Sequence, residues 1–308
     1  MGDALVADGL AAFAGGVILI AAVGACLLSH GYLRQFGAER GEYYALILFS
    51  TAGMLGLVSC VELVSLFVAL EVTSVALYAL AGCRRDRPES QESALKYFVT
   101  GAFSSAFLLY GVAMIYGATG STHLHRIASA LEFAGPSSRL LALVGVGLLL
   151  VGFGFKIAAV PFHLWAPDVY EGAPTSVTAF MAAAVKVAAF GALFRVFGDA
   201  LQPLGSEWRP AVAVLAIVTM IVGNLGALAQ TGLKRMLAYS SIAHAGYVLA
   251  AFVAPVPVAG QAVLFYLAGY AVVSIGSFGV VAALASDGVG ALQIPAGLAR
   301  EADSEGTV

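Results

Sequence analysis

The chain has 308 residues, of which 60% are hydrophobic and 11% are charged. Because a soluble domain carries about 25% charged residues, this composition excludes a water-facing globular protein and indicates a membrane protein. The net charge of −3 leaves no basic face for binding nucleic acid. Three widely spaced cysteines without a Cys-x-x-Cys pair predict neither an iron–sulfur cluster nor a structural zinc site. The acidic first residues predict no cleavable signal peptide.

Nine stretches of the chain are long and apolar enough to cross a bilayer core of about 30 Å, which requires about 20 residues of helix. They are residues 10–29, 43–60, 62–82, 95–118, 139–160, 174–197, 209–229, 236–254 and 260–284. Barrel strands would alternate polar and apolar residues over about ten residues, and no such pattern appears. We therefore predict one all-α, polytopic bundle over residues 1–284. Residues 285–308 lose the apolar run, and we expect a polar, disordered tail there.

The basic residues of the connectors predict how the chain is oriented. The side reached by the first helix collects nine of them: Arg34, Arg40, Arg84, Arg85, Arg87, Lys96, Lys234, Arg235 and Arg300. The opposite side has three: Arg126, Arg139 and Arg209. By the positive-inside rule, we expect the N-terminus outside and the C-terminal tail in the cytoplasm.

Three cations, Lys156, Lys186 and Arg195, fall within apolar segments. Glu71 lies near the middle of another, and Glu71, Lys156 and Lys186 are the three that would lie at membrane depth among uncharged turns. Each would cost about 2.5–3.5 kcal/mol at the centre of a bilayer, so we expect all three to face the bundle interior, water or one another. One interpretation is a static ion pair that locks two helices. The presence of one acid and two bases favours the other interpretation, a chain of groups that exchange protons.

The segment around Lys156 also predicts an interrupted helix. Gly152 and Gly154 precede the lysine and Pro161 follows it, so the helix is expected to break near Lys156–Pro161. Broken helices at membrane depth line ion sites in transporters, although a proline kink near a helix end is an equally good interpretation of this feature alone. His163 and Asp168 follow the break, but no third ligand at suitable spacing indicates a metal site.

Two further candidates lie in the stretch KRMLAYSSIAHAGYVLA. His244 titrates near neutral pH and is suited to carrying a proton, with Ser240 and Ser241 between it and Lys234. A core histidine with a satisfied hydrogen bond is an equally good interpretation. Lys234 is either a side chain that extends to the cytoplasmic interface or the cytoplasmic mouth of a proton path.

Several segments together resemble one family. They are FVALEVTSVALYALAG (67–82), FKIAAVPFHLWAPDVYEGAPTSVTAF (155–180), AAAVKVAAFGALFRVF (182–197) and LAQTGLKRMLAYSSIAHAGYVL (228–249). These segments are similar to the antiporter-like membrane subunit N of the proton-pumping NADH:quinone oxidoreductase, respiratory complex I. The most specific motif is PFHLWAPDVYEGAP, and the resemblance extends over about residues 5–284.

The resemblance implies a fold of two inverted five-helix repeats around a hydrated proton channel. It implies that Glu71 is the acid facing the neighbouring subunit, Lys156 the lysine of the broken helix and Lys186 the connecting lysine. Lys234 and His244 would continue the relay into the second repeat. The family has further helices at both ends, so we expect the second repeat to be incomplete here, with the missing helices truncated or supplied by another polypeptide.

The leading hypothesis is a proton-translocating subunit of NADH:quinone oxidoreductase in the bacterial inner membrane, driven by redox chemistry elsewhere. The expected partners are other membrane subunits and the lipid bilayer. NADH, FMN, iron–sulfur clusters and quinone are expected on partner subunits, with no cofactor, metal or redox active site on this chain. One alternative is a subunit of a multisubunit cation/proton antiporter or membrane-bound hydrogenase. Another is a chain that only packs helices in an assembly.

Overall fold

The computed structural model describes residues 4–254 and 256–286, and this part of the chain is helical with no β-strand. The first six helices are α1 (Gly9–Gln35), α2 (Gly41–Ser59), α3 (Leu63–Ala81), α4 (Pro88–Thr119), α5 (Leu124–Glu132) and α6 (Pro136–Ile157). They are followed by α7 (Trp165–Gly172), α8 (Thr175–Phe180), α9 (Lys186–Leu193), α10 (Gly205–Leu228), α11 (Leu233–Phe252) and α12 (Val256–Ser286). The prediction of an all-α bundle is confirmed, while residues 287–308 of the predicted tail lie outside the described residues.

In the part of the chain that the structure describes, eight helices are long and apolar enough to cross a membrane, against nine predicted stretches. The difference is residues 236–254, which form α11 but are not among the eight. At 20 residues α11 is about 30 Å long, which matches a bilayer core. Its polar residues, including Lys234, Arg235 and His244, lower its hydropathy. The helix is therefore of spanning length, and its composition sets it apart from the eight.

The predicted interruption after Lys156 is present. Helix α6 ends at Ile157, and Ala158 adopts a left-handed backbone with φ 57° and ψ 42°. The amide of Ala159 then bonds the Gly154 carbonyl at 2.8 Å, which satisfies one of the carbonyls freed at the helix end. A connector leads to the short helix α7. Lys156 thus lies in the last turn of a helix that stops within the bundle.

The helix carrying Lys186 lies at the centre of the molecule. Residues Thr175–Ala200 form a continuous helix that is almost entirely buried. It contains two π-helical turns, Met181–Val185 and Phe194–Ala200, on either side of α9. Such turns insert an extra residue per turn and occur frequently at functional sites. Lys186, the first residue of α9, directly follows the first of them.

Candidate functional site

Lys156 and Glu71 lie near each other, with a serine beside both. The Lys156 side chain is buried and its Nζ donates to Ser74 Oγ at 2.7 Å. Ser74 is three residues after Glu71, so the two side chains share one face of α3. Glu71 is half-buried and accepts a hydrogen bond from Ser105 of α4 at 2.5 Å. Within the described residues, no ion pair joins Glu71 to either buried lysine.

A small void separates Lys156 from the central helix. Its volume is about 10 Å³, close to what one water molecule requires. Lys156, Thr73 and Ser74 line one side, while Val185 and Ala189 of the Lys186 helix line the other. The void is therefore a water-sized space with a mostly apolar surface, between Lys156 and the residues that flank Lys186.

Lys186 is only 2% exposed and contacts a second helix through a neutral oxygen. Its ammonium donates to the backbone carbonyl of Ser241 in α11. The Nζ atom also lies 5.3 Å from the centre of the Tyr270 ring in α12. A cation over an aromatic face is attracted electrostatically, so these contacts hold the side chain between α11 and α12.

His244 lies one helical turn after Ser241 on α11 and is half-buried. Its Nδ1 atom is 2.5 Å from the hydroxyl of Tyr266, and its ring packs against the Tyr270 ring at 4.8 Å. The predicted relay residues Lys186 and His244 are thus brought together by α11 and by the tyrosines of α12. We call Lys186, Ser241, His244 and Tyr270 the Lys186 cluster.

Lys234 is separate from this cluster. Its Nζ donates to the carbonyls of Glu171 at 2.7 Å and Ala173 at 2.6 Å, both at the end of α7. The side chain also lines a cavity of about 550 Å³, together with Arg84 and residues at the end of α12. His244 follows ten residues later, about 15 Å along the helix. Lys234 therefore lies at the cavity, away from the Lys186 cluster.

Arg195 is a buried cation to which the sequence assigned no role. Its side chain is 4% exposed and makes two hydrogen bonds to the Asp8 carboxylate, at 2.6 and 2.9 Å. Its Nε also donates to the Val58 carbonyl at 2.5 Å. The Arg195 guanidinium holds the pKa of the Asp8 carboxyl below its usual value. This pair joins the central helix to the start of α1 and the end of α2.

A second charge cluster holds the short helix α7. The two oxygens of Asp168 bond Lys96 of α4 at 2.8 Å and Arg235 of α11 at 2.7 Å. Arg235 also pairs with Glu171 at 3.0 Å. We call Asp168, Glu171, Lys96 and Arg235 the α7 clamp. The hydrogen bond from Lys96, with that from Arg235, keeps the pKa of Asp168 below its usual value although partial burial acts the other way.

We expect Asp168→Asn to destabilise the protein by about 1 kcal/mol at neutral pH, because partly exposed ion pairs contribute about 0–1 kcal/mol each. The lowered pKa means that this contribution is complete above the unfolded value of about 3.9 and is lost as the pH falls through the folded value. Thermal unfolding of the detergent-purified protein at pH 7 and at lower pH measures the stability that the Asp168 ion pairs contribute. Asp86→Asn, which removes an ion pair local to one loop, is the control. Equal stability of Asp168→Asn and the parent at pH 7 would contradict the clamp.

The sequence did not predict which residues contact the candidate relay residues. Ser74 was recognisable from its spacing to Glu71, whereas Ser105, Tyr266 and Tyr270 come from other helices and carried no signal. His163 is buried, and its Nδ1 has no hydrogen-bond partner among the described residues. Within the same residues, no group of three His, Cys, Asp or Glu side chains is arranged to hold a metal ion, and the three cysteines are free.

A polytopic helical bundle with buried lysines, one of them at a helix interrupted inside the bundle, defines the class of antiporter-like membrane proteins. Residues 60–298 match the family described as NADH:quinone oxidoreductase/Mrp antiporter, transmembrane. The chain belongs to this family.

Curated and solved relatives agree with this assignment. NADH-quinone oxidoreductase subunit N of Salinibacter ruber is 50% identical over 286 residues, which are 93% of this chain and 57% of the relative. A chain of respiratory complex I from Thermus thermophilus is 41% identical with a TM-score of 0.74, over 92% of this chain and 59% of the other. A chain of the Mrp complex from Dietzia sp. is 25% identical with a TM-score of 0.77, over 89% and 51%. The chain thus spans somewhat more than half the length of these relatives.

Proposed function

We propose that this chain is part of a proton-translocating membrane subunit of a bacterial NADH:quinone oxidoreductase. Glu71, Lys156, Lys186, Lys234 and His244 form its proton relay. Redox energy is released on partner subunits that carry NADH, FMN, iron–sulfur clusters and quinone, and this chain contributes no redox site. The similarity to subunit N relatives supports the choice of complex.

One observation supports the proposed proton relay above all others. Both buried lysines bond neutral oxygens, Lys156 the Ser74 hydroxyl and Lys186 the Ser241 carbonyl, and neither has a carboxylate within 4.0 Å among the described residues. A static lock requires a matched ion pair. An ammonium held only by neutral acceptors in an apolar interior loses its proton at a smaller free-energy cost than a paired one.

The proposed sequence of events begins at Glu71. Its charge favours the protonated form of Lys156, so loss or displacement of that charge releases the Lys156 proton towards Lys186. A change of one pKa unit corresponds to about 1.4 kcal/mol, which is a modest coupling energy. The proposed crossing lies at the small void between Lys156 and the central helix, which is lined by Lys156, Thr73, Ser74 and Tyr97 and otherwise by apolar side chains.

The proposed orientation places the N-terminus outside and the Lys234 face in the cytoplasm. The same cavity is lined by Tyr32 near the end of α1, Arg84 after α3, Lys234 at the start of α11 and Ala285 at the end of α12. The connectors that the sequence assigned to one side therefore meet at one face. Their excess of Lys and Arg supports a cytoplasmic position for this face.

Vesicles containing the complete complex test the proposal. We expect NADH oxidation to acidify one side, with this chain co-purifying in mild detergent with subunits that bind flavin and iron–sulfur clusters. The structural similarity to the Mrp complex favours a cation/proton antiporter as the second candidate. Proton flux that requires a sodium gradient, needs no NADH and comes from a complex without flavin would replace the first candidate with the second.

A further inference from the structure

Three tyrosine rings surround His244, and only one of their hydroxyls bonds the imidazole. The ring centres of Tyr270, Tyr247 and Tyr266 lie 4.8, 5.4 and 5.9 Å from that of His244. The Tyr266 hydroxyl is 2.5 Å from Nδ1. The Tyr247 hydroxyl instead bonds the amide of Asn224, at 2.9 and 3.1 Å. Tyr266 is therefore distinguished by a hydrogen bond to the histidine that its neighbours lack.

The hydrogen bond between His244 and Tyr266 lies where the proposed proton path from Lys186 reaches His244. Lys186 contacts α11 at Ser241, one turn before His244, and the Tyr270 ring lies against both Lys186 and His244. The buried Ser241 hydroxyl lies beside Lys186 and close to the phenols of Tyr170 and Tyr270, so polar hydrogens and oxygens continue from Lys186 towards α12. Tyr266 is one turn before Tyr270 on α12.

A phenol hydroxyl is chemically suited to pass on a proton from His244. A phenol hydroxyl donates one hydrogen bond and accepts others, and neutral imidazole carries one N–H and one bare nitrogen. When a proton arrives at the bare Nε2, the Nδ1–H proton passes to the Tyr266 oxygen. The phenol at the same time releases its own O–H proton to a water molecule on its other side. The tyrosine ends neutral, the histidine ends as the other neutral tautomer, and one proton has moved onward.

We propose that Tyr266 is a relay residue that receives the proton of His244, so that the path leaves the Lys186 cluster along α12. This inference rests on the proposed function. It adds the phenol of Tyr266, which is not a charged side chain, to the proposed relay. One hydrogen bond of 2.5 Å joins this phenol to His244. Tyr266 is half-buried.

Single-atom variants in the complete complex test the inference. In vesicles, we expect Tyr266→Phe to reduce NADH-driven proton translocation by on the order of 100-fold, the usual effect of removing a positioned proton-transfer group. Tyr247→Phe removes a hydroxyl from a ring beside the same histidine and is expected to pump as the parent does. Equal translocation by the two variants would overturn the proposal.

A comparison with Lys186→Met separates failure of the whole relay from failure of Tyr266 alone. If Lys186→Met pumps normally, the proposed relay fails. If Lys186→Met stops pumping while Tyr266→Phe does not, only the role of Tyr266 fails.

A second readout excludes a structural role for the hydroxyl. Replacing Tyr266 by 3,5-difluorotyrosine keeps the hydrogen bond but makes the phenol more acidic. A phenol that transfers protons then shifts the pH profile of translocation to lower pH, whereas a hydroxyl that only supports the fold leaves it unchanged. The same replacement at Tyr247 is expected to cause no shift. An unchanged profile at Tyr266 would refute its role in proton transfer.

Discussion

Replacing Lys186 by Met is expected to abolish proton translocation through this chain while leaving its assembly intact. Lys186 is 2% exposed, and within the described part of the chain its ammonium hydrogen-bonds only a carbonyl oxygen, so removing it leaves no carboxylate there without a partner. Loss of a positioned proton carrier slows the transfer step by about 100-fold or more. The measurement is NADH-driven acidification of vesicles, normalised to the amount of complex recovered from the membrane.

Two further variants complete this experiment. Lys186→Arg keeps the positive charge, but a guanidinium does not release its proton in proteins, so we expect it to fail in translocation as the Met variant does. Restored translocation in Lys186→Arg would show that the charge alone matters and would support a structural lock. Arg126→Met removes an exposed cation from α5 and is expected to behave as the parent.

Replacing Asp8 by Ala is expected to have the largest effect on stability. It leaves the Arg195 guanidinium buried, with the Val58 carbonyl as its only hydrogen-bond partner among the described residues and with Asp199 as the nearby acid. Breaking a fully buried ion pair costs about 3–5 kcal/mol, and we expect about 2–3 kcal/mol here because Asp8 is 40% exposed. Unfolding in mixed micelles titrated with sodium dodecyl sulfate measures the change in the free energy of unfolding.

The Asp8 experiment has an internal control. Asp8 also caps α1 by accepting a hydrogen bond from the Ala11 amide at 2.9 Å. Asp8→Asn preserves an effective N-cap but removes the charge, so it isolates the ion pair. We expect Asp8→Asn to lose most of the stability lost by Asp8→Ala. If Asp8→Asn is as stable as the parent, the N-cap hydrogen bond rather than the ion pair accounts for the stability lost in Asp8→Ala.

The two charge clusters fix different parts of the relay. The Asp8–Arg195 pair ties the helix of Lys186 to α1 and α2, nine residues after that lysine. The α7 clamp ties the segment after Lys156 to α4, which carries Ser105, and to α11, which carries His244. Both clusters consist of matched acid–base pairs, in contrast to the lysines of the relay. Matched charges therefore hold the scaffold, while unmatched amines are placed in the interior.

Helix boundaries followed closely from the sequence where local chemistry sets them. The predicted break appeared at Ile157, where Pro161 prevents the helix from continuing. Glu62, at the start of α3, caps it by accepting from the amides of Val64 and Ser65. The short α7 and the two π-helical turns had no such local signal, because they depend on packing against the rest of the bundle.

The sequence by itself determined that this is a helical membrane protein and that Glu71, Lys156 and Lys186 cannot face lipid. Both conclusions follow from the free energy of placing residues in hydrocarbon, which depends on residue type and on position along a helix. The tertiary structure decided the partners: Ser74 for Lys156, the Ser241 carbonyl for Lys186, Tyr266 for His244 and Asp8 for Arg195. These contacts join helices that are distant in sequence, so they depend on how the helices pack, and no local pattern of residues records that packing.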